Sequence, residues 1–168
     1  MVDAAAPLQS VPELRQELAG SRSEPRTSIE ITTEAAGIAA YADVARRGVF
    51  SPSQSPTWIA SWVKNVRPNF IVATLKRDGQ PAFSVALEIV GKGPLRIAAF
   101  MSGRHANGNM PSVSAAFANS ATIADIRAVV AAIRRERPDI DVIAFERMTT
   151  DIGGVRNPLT PQHVTGKR

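Results

Sequence analysis

The sequence contains no cysteine, which excludes a disulfide framework, a thiolate metal site and a cysteine nucleophile. Histidine is almost as scarce: His105 and His163 stand far apart, with no HxxxH pair. A zinc site would have to be completed by carboxylates, and no metal is expected. Aromatic residues are few, with one Tyr, two Trp and six Phe, leaving little for base stacking. The positive residues come in short broken runs, "RR" at 46–47, "KR" at 76–77 and "RRER" at 134–137. The net charge of +5 and pI near 10.4 therefore read as a solvated surface and not as the dense basic stripe of a nucleic-acid reader. They still suit an acidic small partner such as a phosphorylated cofactor. No apolar run reaches the ~18 residues of a membrane span. "MVDAAAPLQSVPELRQ" has neither a basic n-region nor a long apolar h-region, so a cytoplasmic protein is expected. No P-loop, dinucleotide fingerprint or Ser-His-Asp order occurs.

What is present is 168 residues, 44% of them hydrophobic, the size of one ordinary domain. Residues 1–27 mix Pro, Ser, Glu and Arg and read as a disordered tail; 28–150 carry the periodic segments; 151–168 hold Gly, Pro and polar residues without period and read as a loose tail. "SIEITT" is a strand. A helix follows, N-capped by Thr33 with Glu34 in its first turn, apolar at Ile38, Tyr41, Ala42 and Ala45, and ended by Gly48 as a left-handed cap. Ser55 and Pro56 open a second helix whose Trp58, Ile59, Trp62, Val63 and Val66 form one apolar face; Pro68 ends it.

Three antiparallel strands come next. "FIVATLK" turns at Asp78-Gly79, a strong hairpin signal. "AFSVALEIV" alternates, with Phe83, Val85, Leu87 and Ile89 on one face and Ser84, Ala86 and Glu88 on the other. "LRIAAFM" returns the chain. Beyond "SGRHANGNMPS" a helix starts at Ser120 or Thr122, with Ile123, Ile126, Val130 and Ile133 in one stripe, closed by Pro138. "IDVIAFERM" is the final strand, parallel to its neighbour because a helical crossover precedes it. The fold class is mixed α/β: a mixed sheet with helices on both faces, and Trp58 and Trp62 partly buried.

This order of elements resembles the first two-thirds of the GNAT acyltransferase fold, without that fold's last helix and strands. Residues 49–113 are similar to the N-terminal half of the bacterial acetyltransferases associated with cellulose and exopolysaccharide biosynthesis. The matching pieces are "VFSPSQSPTWIASWVKNV", "FIVATLKRDGQPAFSVALEIV" and "LRIAAFMSGRHANGNMPSV", with "GVRNPL" further on; from first to last the match spans about two-thirds of the chain. The resemblance implies acetyl transfer from acetyl-CoA to an amine or hydroxyl. Two departures stand out. Family members are about twice this length, with a second GNAT-like half. The superfamily signature Q/R-x-x-G-x-G/A is not met: Gly108 follows Arg104 by four residues instead of three, and Asn109 ends the run.

Within "SGRHANGNMPS", a Gly/Asn-rich turn ahead of a helix gathers backbone N–H groups that suit a pyrophosphate. Ser102, Gly103, Arg104, Gly108 and Asn109 are the candidate cofactor contacts, and His105 a candidate general base. The same composition suits an irregular connecting loop. Glu88 is a second catalytic candidate, placed toward a cleft or toward solvent; Glu146 is similar. Tyr41 is either a proton donor or a core residue, and Trp58 and Trp62 read as packing residues. Two functional readings follow: an acyltransferase domain, or a non-catalytic GNAT-like module that pairs with a partner half. In both, "IDVIAFERM" is an apolar sheet edge open to self-association, to the folded-back tail or to a partner.

Overall fold

The computed structural model describes residues 26–160. Most of the expected N-terminal tail, and residues 161–168 with His163, lie outside the described residues. In chain order the elements are β1 (Thr27–Thr32), α1 (Ala35–Arg47), α2 (Pro56–Val66), β2 (Phe70–Arg77), β3 (Gln80–Lys92), β4 (Leu95–Phe100), β5 (Ser112–Val113), α3 (Ala115–Ser120), α4 (Ile123–Glu136), β6 (Val142–Ala144), β7 (Asp151–Ile152) and β8 (Val155–Arg156). The main sheet runs β1-β2-β3-β4-β6, and β5 also pairs with β3. Every pairing in it is antiparallel except the parallel β4–β6 pair. The mixed α/β class expected from the sequence is the observed one.

Local chemistry sets most of these elements. Asp78 and Gly79 both take positive φ, 50° and 77°, the requirement of a two-residue hairpin turn. The Ser55 hydroxyl accepts the Trp58 N–H at the start of α2, with Pro56 in the first turn. Thr122 and Asp125 form a reciprocal capping box on α4. Strand alternation divides the core in two. Ile71, Leu75, Phe83, Val85 and Leu87 pack with Phe117, Val129 and Ile133 of α3 and α4. Val72 and Ala86 face the other way, under Tyr41, Ile59 and Met101. Trp62 is half-buried and Trp58 is 42% exposed.

Five expectations are corrected. The N-cap of α1 is Glu34 and not Thr33, so Glu34 stands before the first turn and not in it. Gly48 is not left-handed: its φ of −134° is extended, and glycine is needed for room, because a Cβ there would meet the Val113 carbonyl oxygen at 2.3 Å. The buried stripe of α4 is Val129, Ala132 and Ile133, while Ile123, in the first turn, is 65% exposed. The last strand of the main sheet is Val142–Ala144 alone. From Thr149 the chain is not loose as far as it is described: β7 and β8 form a hairpin, and Asn157 and Leu159 are buried. The sequence does not announce β5 and α3, which are too short to show a period.

Arg77 ties the hairpin end of β2 to α4 through a 3.0 Å ion pair with Asp125. Burial works against the charge on Asp125. Hydrogen bonds from Thr122 and Arg77 outweigh it and hold the carboxyl below its ordinary value of 3.8. A depressed folded-state value means stability that is complete above the ordinary value and lost as pH falls through the lowered one. Asp125→Asn should therefore be less stable at neutral pH, with a shallower loss of stability below about pH 4 in denaturant titrations. Gly48→Ala should cost about 1–3 kcal/mol, because only backbone atoms could give way; a fall in urea midpoint at unchanged slope would show it.

Candidate functional site

β4 and β6 lie side by side for three pairs, Ile97↔Val142, Ala98↔Ile143 and Ala99↔Ala144, and then part. On one side Ser102, at φ 93°, turns the chain into a short 3-10 turn at Gly103–His105. On the other, the strand ends at Ala144, and Arg147 sits at φ 51°. Left-handed backbone is unfavourable for side chains with a Cβ, so surrounding contacts must hold both bends. Between the strands opens a gap of about 210 Å3, lined by Ala99, Phe100, Gly103, Asn109, Ala144, Glu146 and Arg147. Two alanines and a glycine leave it a slot.

Asn109 bridges the far side of that slot. Its N–H donates to the Arg147 carbonyl at 2.7 Å, and its own carbonyl accepts from Thr149 N–H at 3.2 Å. Its side-chain Nδ2 donates to the Glu146 carbonyl at 3.0 Å. Its Oδ1 accepts from Gln54 Nε2 and Ser53 Oγ, both at 3.2 Å. Asn157 Nδ2 adds a bond to the Asn109 carbonyl at 3.1 Å. Asn109 is 3% exposed, and its polar atoms are engaged within the protein.

Glu88 lies on β3 beneath α2 and is 6% exposed. The polar-looking face of β3 is covered, so this carboxylate is not in open solvent. Trp62 Nε1 donates to Oε2 at 2.9 Å. Oε1 lies 3.5 Å from where a Gly103 Cβ would stand, beside the residue that lines the slot. On the outer side, Trp58, Ser61, Trp62, Asn65, Val66 and His105 line a cleft of about 330 Å3. The His105 ring lies 6.3 Å from that of Trp62, tilted by 58°. Trp58 Nε1 donates to the buried Ser102 hydroxyl. The two tryptophans thus bind α2 to the Glu88–Ser102 region as well as packing.

Of the sequence candidates, Glu88, Ser102, Gly103 and His105 gather around Trp58 and Trp62, and Asn109 closes the slot. Arg104 belongs to the short 3-10 turn, and its side chain lies outside what is described. Gly108, at φ 63°, has nothing within 4 Å of where a Cβ would stand, its chain neighbours aside. Glu146 is exposed at the slot's rim. Tyr41 is fully buried and donates to the Gln54 carbonyl at 2.5 Å; burial raises its phenol above the ordinary range, so it is a structural donor. Sequence reasoning missed Ser53, Gln54 and Asn157. All three lie inside segments quoted for the resemblance, "VFSPSQSPTWIASWVKNV" and "GVRNPL", but no local pattern there marks them, and only their place in the folded chain does. Among the described residues no group of three His, Asp or Glu could hold a metal ion, and no helix is long and apolar enough to cross a membrane.

No protein-family model matches the chain, and no curated protein does. Solved structures similar to it include an aminoglycoside N-acetyltransferase, AAC(6')-Iy, in complex with CoA, at 9% identity and TM-score 0.47 over 75% of this chain and 80% of that one. An aminoglycoside acetyltransferase from an uncultured soil metagenomic sample gives 11% and 0.45 over 79% and 85%. A predicted acetyltransferase with acetyl-CoA from Clostridium acetobutylicum gives 10% and 0.40 over 71% and 80%. At such identities and scores, nothing about substrate or chemistry passes from these enzymes to this chain.

Replacing Asn109 by Ala should cost about 2–4 kcal/mol, since buried carbonyl and amide partners lose their mates together. Hydrogen exchange should rise along 101–111 and at 146–150 with the β2–β3 amides unchanged; protection kept in both segments would contradict the bridging role.

Proposed function

We propose that the chain is a GNAT-like acyltransferase domain that passes an acetyl group from acetyl-CoA to an amine or hydroxyl, acting in the cytoplasm. The observation that carries this reading is the parting of parallel strands β4 and β6 next to a buried carboxylate. The slot suits the thin thioester arm of the cofactor, with Ala99, Ala144 and Gly103 as its walls. The phosphates fit less closely: loop 102–110 offers backbone donors at Gly103 and Gly108 but rejoins a strand at Ser112, so no helix start faces them.

The residues divide the work by position. The reacting amine or hydroxyl of the acceptor sits beside Gly103, toward which Glu88 Oε1 is turned, and the outer cleft of Trp58, Trp62, Ser61 and Asn65, with His105 at its rim, holds the acceptor's remoter part. Glu88 would take the acceptor's proton through Oε1 as the new C–N or C–O bond forms; the C–S bond breaks, the sulfur leaves as thiolate, and the proton held by Glu88 passes to it. Its other oxygen, held by the Trp62 N–H, fixes the carboxylate in place for that step.

The second reading, a non-catalytic module completed by a partner half, is favoured by one observation: Asn109 spans the slot with its own hydrogen bonds. A thermal-shift titration of the whole chain with acetyl-CoA separates the two. The enzyme reading expects a rise in melting temperature that grows with ligand, and transfer to glucosamine that Glu88→Gln lowers by about 10²–10⁴-fold without changing that rise. No rise at saturating acetyl-CoA supports the pairing module. A rise with transfer untouched by Glu88→Gln removes Glu88 from the reaction.

A further inference from the structure

A third cavity lies at the other end of β3. Gln80 begins that strand and Glu88 sits eight residues further on, about 26 Å at the rise of an extended chain. The cavity is about 350 Å3. Pro81, Ala82 and Phe117 give it an apolar floor, and Arg47, Gln80 and Ser114 stand at its rim. It belongs to neither the slot nor the tryptophan cleft.

Its polar groups are unbalanced. Arg77, in the wall, is already neutralised: Nη2 pairs with Asp125 at 3.0 Å, Nη1 donates to Ser120 Oγ at 2.9 Å, and the guanidinium lies 4.8 Å over the Phe117 ring. Its buried Nε has no partner among the described residues. Arg47, in the last turn of α1, reaches among the described residues only Gln80 Oε1, at the limiting distance of 3.5 Å. That contact uses the amide oxygen of Gln80 and not its NH2. The Ser114 oxygen accepts the Phe117 N–H at 3.2 Å and keeps its own proton to give. The rim thus offers donors and one unneutralised positive charge, above a surface that favours hydrocarbon.

We propose that this cavity binds a small organic carboxylate with a compact apolar body. The planar guanidinium of Arg47 matches the two oxygens of a carboxylate. Gln80 and Ser114 supply the flanking donors, and the body rests on Pro81, Ala82 and Phe117. One free charge fits a monoanion better than a phosphate dianion. The site stands independently of the acyl-transfer reading.

The test is a titration of the 15N-labelled whole chain with sodium benzoate, with benzamide as the neutral isostere and sodium phosphate as the bare anion. Benzoate should give saturable shifts confined to the Gln80 side-chain amide, Ala82 and residues 114–117, and should bind at least about tenfold more tightly than either control. Arg47→Gln should weaken benzoate by about tenfold or more at an unchanged melting temperature, since Arg47 is exposed. Arg47→Lys, with charge but no fork, should fall between. Equal shifts from benzamide, scattered shifts, or an Arg47→Gln variant that binds as the parent does would overturn the site. Phosphate binding as tightly as benzoate would overturn the carboxylate assignment.

Discussion

Two parallel strands that separate leave backbone N–H and C=O groups facing each other across a widening gap, and buried groups of that kind must be satisfied. Asn109 meets this constraint. It pairs with the departing strand as another strand residue would, through an isolated parallel bridge to Met148, while its side chain acts as a second amide. Three otherwise separate pieces are joined there. The α1–α2 connection arrives through Ser53 and Gln54, and Gln54 in turn receives the Tyr41 hydroxyl. The C-terminal hairpin arrives through Asn157. The excursion of 101–111 that carries Asn109 exists because β3 has one edge for two partners: β4 leaves it at Leu87 and β5 takes it up at Ser84.

Much of the fold is legible in the sequence because its signals are local. The Asp78-Gly79 turn, the Ser55-Pro56 helix start and the alternation of β3 each depend on a few neighbours in sequence, and each forms as the local pattern dictates. Gly48 shows the limit: the residue stands out at a helix end, but its reason is a carbonyl 65 positions away at Val113, which no local pattern announces. "IDVIAFERM" reads as one long strand by composition, yet pairing ends at Ala144 because its neighbour has turned away. The candidate site is legible in part. "SGRHANGNMPS" draws notice for its Gly and Asn, but Asn109 uses its polar atoms inward, while Glu88, equally at home in solvent by its pattern, is the buried group.

The burial of Glu88 follows from how α1 and α2 pack. Their face of the sheet is built from short side chains: Thr74 and Ser84 satisfy each other at 2.8 Å across neighbouring strands, and Ala86 lies beside them. Short residues let the helix come close; a Cβ on Gly37 would stand 2.3 Å from Thr32 Cγ2 and 3.1 Å from Val72 Cβ. The pattern Ser84, Ala86, Glu88 therefore resembles a solvated face while being a tightly roofed one. At its far end the roof is Trp62, whose N–H meets the carboxylate.

That position has an energetic oddity which packing alone does not remove. A carboxylate at 6% exposure with one neutral donor is a costly occupant. Leucine would fill the same space under a half-buried indole, whose N–H could turn to water, and glutamine would keep a hydrogen bond without the charge. The hydrogen bond from the Trp62 N–H occupies one of the two Glu88 oxygens. Its second oxygen instead points toward Gly103, at the wall of the slot between β4 and β6, where the absence of a side chain keeps the approach open. Groups that local rules disfavour and that border an opening are the ones whose justification lies in chemistry and not in stability. Glu88 meets both conditions, which is why the proposed acyl transfer is built on it, whereas Asn109, equally buried, has its polar atoms engaged within the fold.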